Sequence, residues 1–208
     1  MTKKTGSSEA GSLSERDEAS RTKDMKKISV FFQGIGYNSD RPLLYYSRKL
    51  AVRHGYDTED VRFGNIDKSV LKSLKDAPEV FDAAIRQAGE ILDGLDLMRY
   101  EDIVFVSKSI GTVAAAAYAK KRGLKVRQVF FTPLEKTFSF TQDSNGIVFF
   151  GTGDPFISAG KVEELCRTNH LKYRIFEGAN HSLETGDVAA DISNLADVMK
   201  DVEMMFKP

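Results

Sequence analysis

From Lys27 onward the chain alternates two kinds of hydrophobic pattern. Short apolar runs rich in β-branched and aromatic residues fall at 28–33, 60–63, 103–107, 126–131, 147–151 and 172–176. Runs of that length and composition predict strands. Between them apolar residues recur every three or four positions, the period of a helix with one buried face. Parallel strands need long crossover connections, and a helix is the usual one, so this alternation predicts a parallel sheet covered on both faces. The expected class is α/β, a three-layer sandwich whose mostly parallel sheet has about six strands.

The helices carry their own punctuation. Asp40 and Pro42 open one, Pro78 opens another, and the pair His54-Gly55 reads as a glycine stop. Near the end, Val188, Ile192, Leu195, Val198, Met199 and Val202 follow one another at three- or four-residue steps, which predicts a last helix that buries this row. The start is different. Its first 24 residues are rich in Ser, Lys, Glu and Gly, with Leu13 as the only large aliphatic side chain. Such a segment cannot bury enough apolar surface to offset the entropy of ordering it. Residues 1–25 are therefore expected to be a disordered tail, and residues 26–208 one domain, since 208 residues suit a single core rather than two domains and a linker.

Charge and cysteine content narrow the partners. Thirty basic residues balance thirty acidic ones, which leaves no electrostatic footprint for nucleic acid or an anionic membrane surface. A small molecule is the expected partner. Cys166 is the only cysteine, so no disulfide forms within the chain. No run approaches the roughly 18 to 20 apolar residues of a membrane span, and the start lacks the apolar segment of a secretory signal. These features read as cytoplasmic. Nothing in the sequence sets an oligomeric state.

The candidate chemistry begins after the apolar run Ile103-Val104-Phe105-Val106. There Ser107-Lys108-Ser109-Ile110-Gly111 leads into an alanine-rich helical stretch from Thr112 to Lys120. A strand, a tight turn holding a serine and a helix of small side chains make a nucleophile elbow, in which the residues two before and two after the serine must be small. Ser107 and Gly111 meet that need, although serine stands where glycine is usual. The plainer reading of Ser109 is a helix cap.

A serine hydroxyl needs a histidine to take its proton. Of the three histidines, His54 lies at a helix end and His170 between a helix and a strand, and both read as structural. His181, in Glu177-Gly178-Ala179-Asn180-His181-Ser182, follows the last strand directly, where ligand-facing residues of open α/β sheets gather. It is the candidate base. A carboxylate must then hold the imidazole in its productive tautomer. Asp154, in the glycine-rich turn Gly151-Thr152-Gly153-Asp154-Pro155 after a buried strand, is placed for this. Its plainer reading is an Asp-Pro turn former, and Glu135, after the preceding strand, is the rival acid.

The order Ser109, Asp154, His181, each just beyond a predicted strand, resembles the α/β-hydrolase superfamily. The stretch from Ser47 to Tyr56 is similar to that family's first core helix, and the resemblance covers nearly everything after the tail. It implies an oxyanion hole after the first strand, in Gln33-Gly34-Ile35-Gly36, where Gln33 stands in place of the family's usual histidine. Ile35 and Ile110 would supply the backbone N–H donors, with Gly36 as the alternative to Ile35. Many relatives insert a helical lid after the strand at 126–131, but here only about fifteen residues, 132–146, lie before the next strand. The chain is thus similar to the compact, lidless members.

The implied activity is cleavage of a small ester or thioester, with Ser109 as nucleophile, His181 as base, Asp154 as orienting acid and no metal or organic cofactor. Acyl transfer by the same triad and a silent hydrolase-fold binding module are the alternatives, and an intact triad argues against the second. Gly36, Tyr37 and Phe156 are candidate pocket residues, and Tyr45 and Phe138 are further aromatics that either line it or belong to the core. Lys108 reads either as a group that attracts an anionic substrate or as a solvated lysine on a turn.

Overall fold

The computed structural model of the chain describes residues 26–64, 66, 78–141 and 145–207. The expected tail, 1–25, lies outside them. Six strands form one sheet: β1 (Lys27–Phe32), β2 (Asp57–Val61), β3 (Asp102–Lys108), β4 (Arg127–Phe131), β5 (Asn145–Gly151) and β6 (Lys172–Phe176). Their order is β2-β1-β3-β4-β5-β6, and every pairing is parallel. All six carboxyl ends therefore lie along one edge, where ligand sites of open α/β sheets are built.

Alternation along the strands divides the core. In β3, Ile103 and Phe105 pack with Val80, Ala84, Ala88 and Leu92 of α2 (Pro78–Leu92) and with the alanine-rich α3 (Ile110–Arg122). Val104 and Val106 point the other way, toward Leu43, Leu44 and Ala51 of α1 (Pro42–Arg53) and Val198 and Val202 of α5 (Val188–Met204). The remaining helix, α4 (Ala159–Thr168), packs Val162 and Cys166 with Ala116 of α3 and with Phe130, Val148 and Phe150 of the sheet. The result is the expected three-layer sandwich. Among the described residues no helix is long and apolar enough to cross a membrane.

Three expectations need correction. The second strand lies at Asp57–Val61 rather than 60–63. It is an edge strand paired only with β1, so its sequence, DTEDV, carries charge where a central strand would carry an apolar run. The last helix does not bury its whole apolar row. Val188 and Ile192 are 72% and 63% exposed, while Val198 and Val202 are buried. A groove of about 400 Å³ separates the first turns of α5 from Pro42 and Leu43, and close packing begins only farther along the helix. Finally, Lys108 is 1% exposed and not solvated, because its place on β3 gives it the same facing as Val104 and Val106, toward α1 and α5.

Candidate active site

The elbow is built by steric necessity. Ser109 joins β3 to α3 with φ 55° and ψ −122°, outside the regions an L residue ordinarily occupies. Its N–H donates to Phe131 O at 3.0 Å, and its own carbonyl accepts from the Thr112 N–H at 2.9 Å and hydroxyl at 2.6 Å. The strained turn is thereby held from both sides. A Cβ at Gly111 would lie 2.6 Å from the carbonyl oxygens of Phe32 and Gln33, so no side chain fits there. Two residues before Ser109 a small side chain does fit: the buried Ser107 hydroxyl donates to Val129 O at 3.0 Å. Serine in place of the usual glycine is thus accommodated by a hydrogen bond. The Ser109 side chain makes no capping bond to α3, which rules out the plainer reading of it.

The hydroxyl instead meets His181, with Nε2 2.8 Å from Ser109 Oγ. On the other side of the ring, Nδ1 lies 2.6 Å from Asp154 Oδ2. Asp154 Oδ1 accepts the Phe156 N–H at 2.9 Å, so the carboxylate is at once a turn former and the histidine's partner. Its turn reaches the histidine loop by a second close approach: a Cβ at Gly151 would meet Ala179 O at 2.0 Å. Across that contact the Gly153 N–H donates to Ala179 O at 3.0 Å, and Gly178 N–H donates to Thr152 Oγ1 at 2.7 Å. Glu135, the rival acid, is exposed on the 3-10 turn Glu135–Ser139 and makes no contact with His181. Because Asp154 already occupies Nδ1, there is no vacancy for it to fill.

His181 is further fixed by neighbours, of which the sequence singled out Phe156 but neither Thr132 nor Asn180. The Thr132 hydroxyl donates to His181 O at 3.0 Å, and Thr132 itself holds φ 43°. A β-branched residue in that conformation is strained, and such strain gathers at functional sites. Its one sequence signal was its place immediately after β4. Asn180 Oδ1 accepts the backbone N–H of Ser182 at 2.7 Å and of Glu184 at 3.2 Å, which closes the loop around the histidine. The Phe156 ring stands edge-on to the imidazole at 4.5 Å between centroids. Burial pushes the imidazole below the ordinary histidine value of 6.5; the Lys108 ammonium adds to this, and the Asp154 carboxylate opposes it. His54 and His170 lie elsewhere, His54 with Nε2 3.0 Å from Glu203 Oε1.

The loop after β1 reaches Ser109 from the other side. A Cβ at Gly34 would lie 3.3 Å from Ser109 Cβ, and Gly34 and Tyr37 exchange backbone hydrogen bonds at 3.0 and 3.2 Å. Ile35 and Gly36 form the tip of this turn, and among the described residues their N–H groups, like that of Ile110, donate to no protein acceptor. Gln33, in the family's histidine position, donates from Nε2 to Ser39 Oγ at 2.9 Å, and Ser39 donates to Asp60 Oδ1 at 2.6 Å, so the loop is anchored to β2. The other aromatic candidates divide. Tyr37 is buried, with its hydroxyl accepting from the Leu43 N–H at 3.2 Å. Phe138 belongs to the core beside α4, and Tyr45 is 40% exposed on α1.

The sequence matches no known family model and no curated protein. Solved structures do share its architecture. Est1E from Butyrivibrio proteoclasticus superposes with a TM-score of 0.65 at 10% identity, over 89% of this chain and 88% of that one. XC6422 from Xanthomonas campestris, described as an α/β serine hydrolase without a lid, gives 0.64 at 11% identity, over 88% and 83%. The esterase Pf2001 of Pyrococcus furiosus gives 0.59 at 10% identity, over 88% and 85%. At such identities the likeness speaks for the fold alone, and with the strand order and the elbow after β3 it leads to one conclusion: this chain has the α/β-hydrolase fold.

Proposed function

We propose that the chain is a serine hydrolase that cleaves a small ester or thioester through an acyl-enzyme on Ser109. The observation that carries this reading is the relay from Ser109 Oγ to His181 Nε2 at 2.8 Å and from His181 Nδ1 to Asp154 Oδ2 at 2.6 Å. Hydrogen bonds of that length in that order let one base serve the nucleophile while a buried acid orients it. That neighbours of the same fold are described as esterases and serine hydrolases supports it further.

In this mechanism Ser109 Oγ attacks the substrate carbonyl as its proton passes to His181 Nε2. The carbonyl oxygen becomes an oxyanion and accepts from the N–H of Ile110 and that of Ile35, with Gly36 next in line; both sides of the turn are otherwise without acceptors among the described residues. Collapse of the tetrahedral intermediate breaks the bond to the alcohol or thiol, which leaves with the proton from the imidazolium. Water, deprotonated by the same nitrogen, then attacks the acyl-enzyme and frees the acid and the serine. No step needs a metal or an organic cofactor. Phe156, packed on the imidazole, and Gly36, at the tip of the oxyanion turn, border the space a small acyl group would take. The lone cysteine, buried and unpaired, suits a reducing compartment, and we place the activity in the cytoplasm.

The test is turnover of p-nitrophenyl acetate and butyrate by wild type and by Ser109→Ala. The wild type is expected to show a burst of p-nitrophenol followed by steady hydrolysis, and the variant neither. Equal rates for the two proteins would remove Ser109 from the mechanism.

A further inference from the structure

Among the described residues the proposed mechanism leaves one buried cationic side chain without a task. Lys108 is the residue before the nucleophile and ends β3, and its side chain lies on the α1 and α5 side of the sheet. It is 1% exposed, and its Nζ sits 5.1 Å from the centre of the Tyr37 ring, a cation against a π face. Among the described residues no carboxylate makes a salt bridge with it and no polar group takes a hydrogen bond from it. The Tyr37 ring that the ammonium faces packs in one cluster with Ala179 and Leu183, which flank His181 in its loop, so ring and loop meet on the side of the sheet where the ammonium lies. An unpaired ammonium in a core is expensive to keep unless the position uses it, and an apolar residue of similar length would fill the same space.

We propose that Lys108 is a positioning residue of this site that acts through His181: its buried charge opposes formation of the imidazolium and holds the ring as a proton acceptor facing Ser109. This inference rests on the hydrolase reading above. The charged and titratable groups around the pair are Asp154, from the turn after β5, and Tyr37, from the loop after β1; Arg41 and Glu184 act on Tyr37 from either side. Only Asp154 favours a charged ring, and it is opposed by burial and by Lys108. Burial in turn pulls the ammonium from its ordinary 10.5 down to about 7, with Asp154 working against the change. In the acidic range where His181 titrates, Lys108 therefore carries its proton and exerts its repulsion.

The experiment is a proton NMR pH titration of the histidine ring signals, in wild type and in Lys108→Met, with His54 and His170 as internal controls. It reads His181 directly and needs no substrate, so its outcome is independent of whether the ester assay succeeds. In Lys108→Met the His181 midpoint is expected to rise by roughly 0.5 to 1 pH unit, with the controls unmoved. The acid limb of kcat/KM is expected to move by the same amount. A folded Lys108→Met protein whose His181 midpoint stays put would overturn the proposal. If that variant does not fold, the wild type alone decides. An ammonium whose charge acts on the ring must give the His181 signal a second inflection as it loses its proton, anywhere between about 7 and the ordinary 10.5. A His181 curve with one inflection across that range would equally overturn it.

Discussion

The two edges of the sheet each gather polar side chains around a β3 residue, and they are built on opposite terms. At the amino edge Asp102 accepts from Arg127 Nη2 at 2.6 Å, and the same Nη2 lies 2.7 Å from the Tyr56 hydroxyl. A carboxylate meets a guanidinium, and none of Tyr56, Asp102 and Arg127 holds positive φ, although His170 does, farther along this edge before β6. At the carboxyl edge Ser109, Thr132 and Leu183 all hold positive φ, and among the described residues no carboxylate makes a salt bridge with the buried lysine. One edge stores stability. The other holds strain and an unbalanced charge, which persist only because the surrounding structure over-determines them. Mutations of polar side chains at the carboxyl edge should therefore act on turnover, and those at the amino edge on folding.

The largest effect that would break this contrast is at Asp154. Asp154→Asn is expected to lower kcat on p-nitrophenyl acetate by about 10⁴-fold, because the amide oxygen stays with the Phe156 N–H and the NH2 turned to Nδ1 donates, which fixes the wrong tautomer. Glu135→Gln should leave kcat within about twofold, since an exposed surface change away from the site is close to neutral. If the Glu135 variant is the crippled one, the acid has been misassigned.

Gly151→Ala tests how the acid and base loops are joined. A Cβ 2.0 Å from Ala179 O forces the two apart, and chemical denaturation should show a loss of about 3 kcal/mol or more, together with loss of turnover. Native stability in that variant would mean the close approach is not required. Arg127→Met addresses the opposite edge. It is expected to lower stability by about 2 kcal/mol, the worth of hydrogen bonds to a charged group, while kcat is retained. A fall in kcat without a fall in stability would abolish the distinction between the edges.

The smallest expected effect sharpens the account. Thr132→Val removes the hydroxyl that holds His181 O and keeps the shape, so a loss of about 1 kcal/mol is expected, seen as a fall in kcat of roughly fivefold. A loss on the scale of Asp154→Asn would give Thr132 a direct role in the chemistry.

Much of this was readable in the sequence, and the limits have physical causes. Central strands announced themselves because they are buried on both faces, whereas β2, charged and on the edge, was placed three residues late. That Ser109, Asp154 and His181 meet was legible because each follows a strand of a parallel sheet, and one edge collects all such residues. Facing is harder to see than position. Lys108 sits in a turn motif and reads as solvated until strand alternation is followed one residue farther, and Val188 and Ile192 continue a helical row whose partner surface ends before they do. Thr132 lay outside reach because its part is played by a backbone angle and a bond to a carbonyl 49 residues away.

The central claim, that Ser109 is a nucleophile activated by His181, is tested most directly by covalent capture. The protein is treated with a fluorophosphonate at neutral pH, and its mass and modified peptide are read by mass spectrometry. The account predicts one adduct per chain, on Ser109, and none in Ser109→Ala or, on the same timescale, in His181→Ala. An adduct on another residue, or undiminished labelling of the His181 variant, would contradict it.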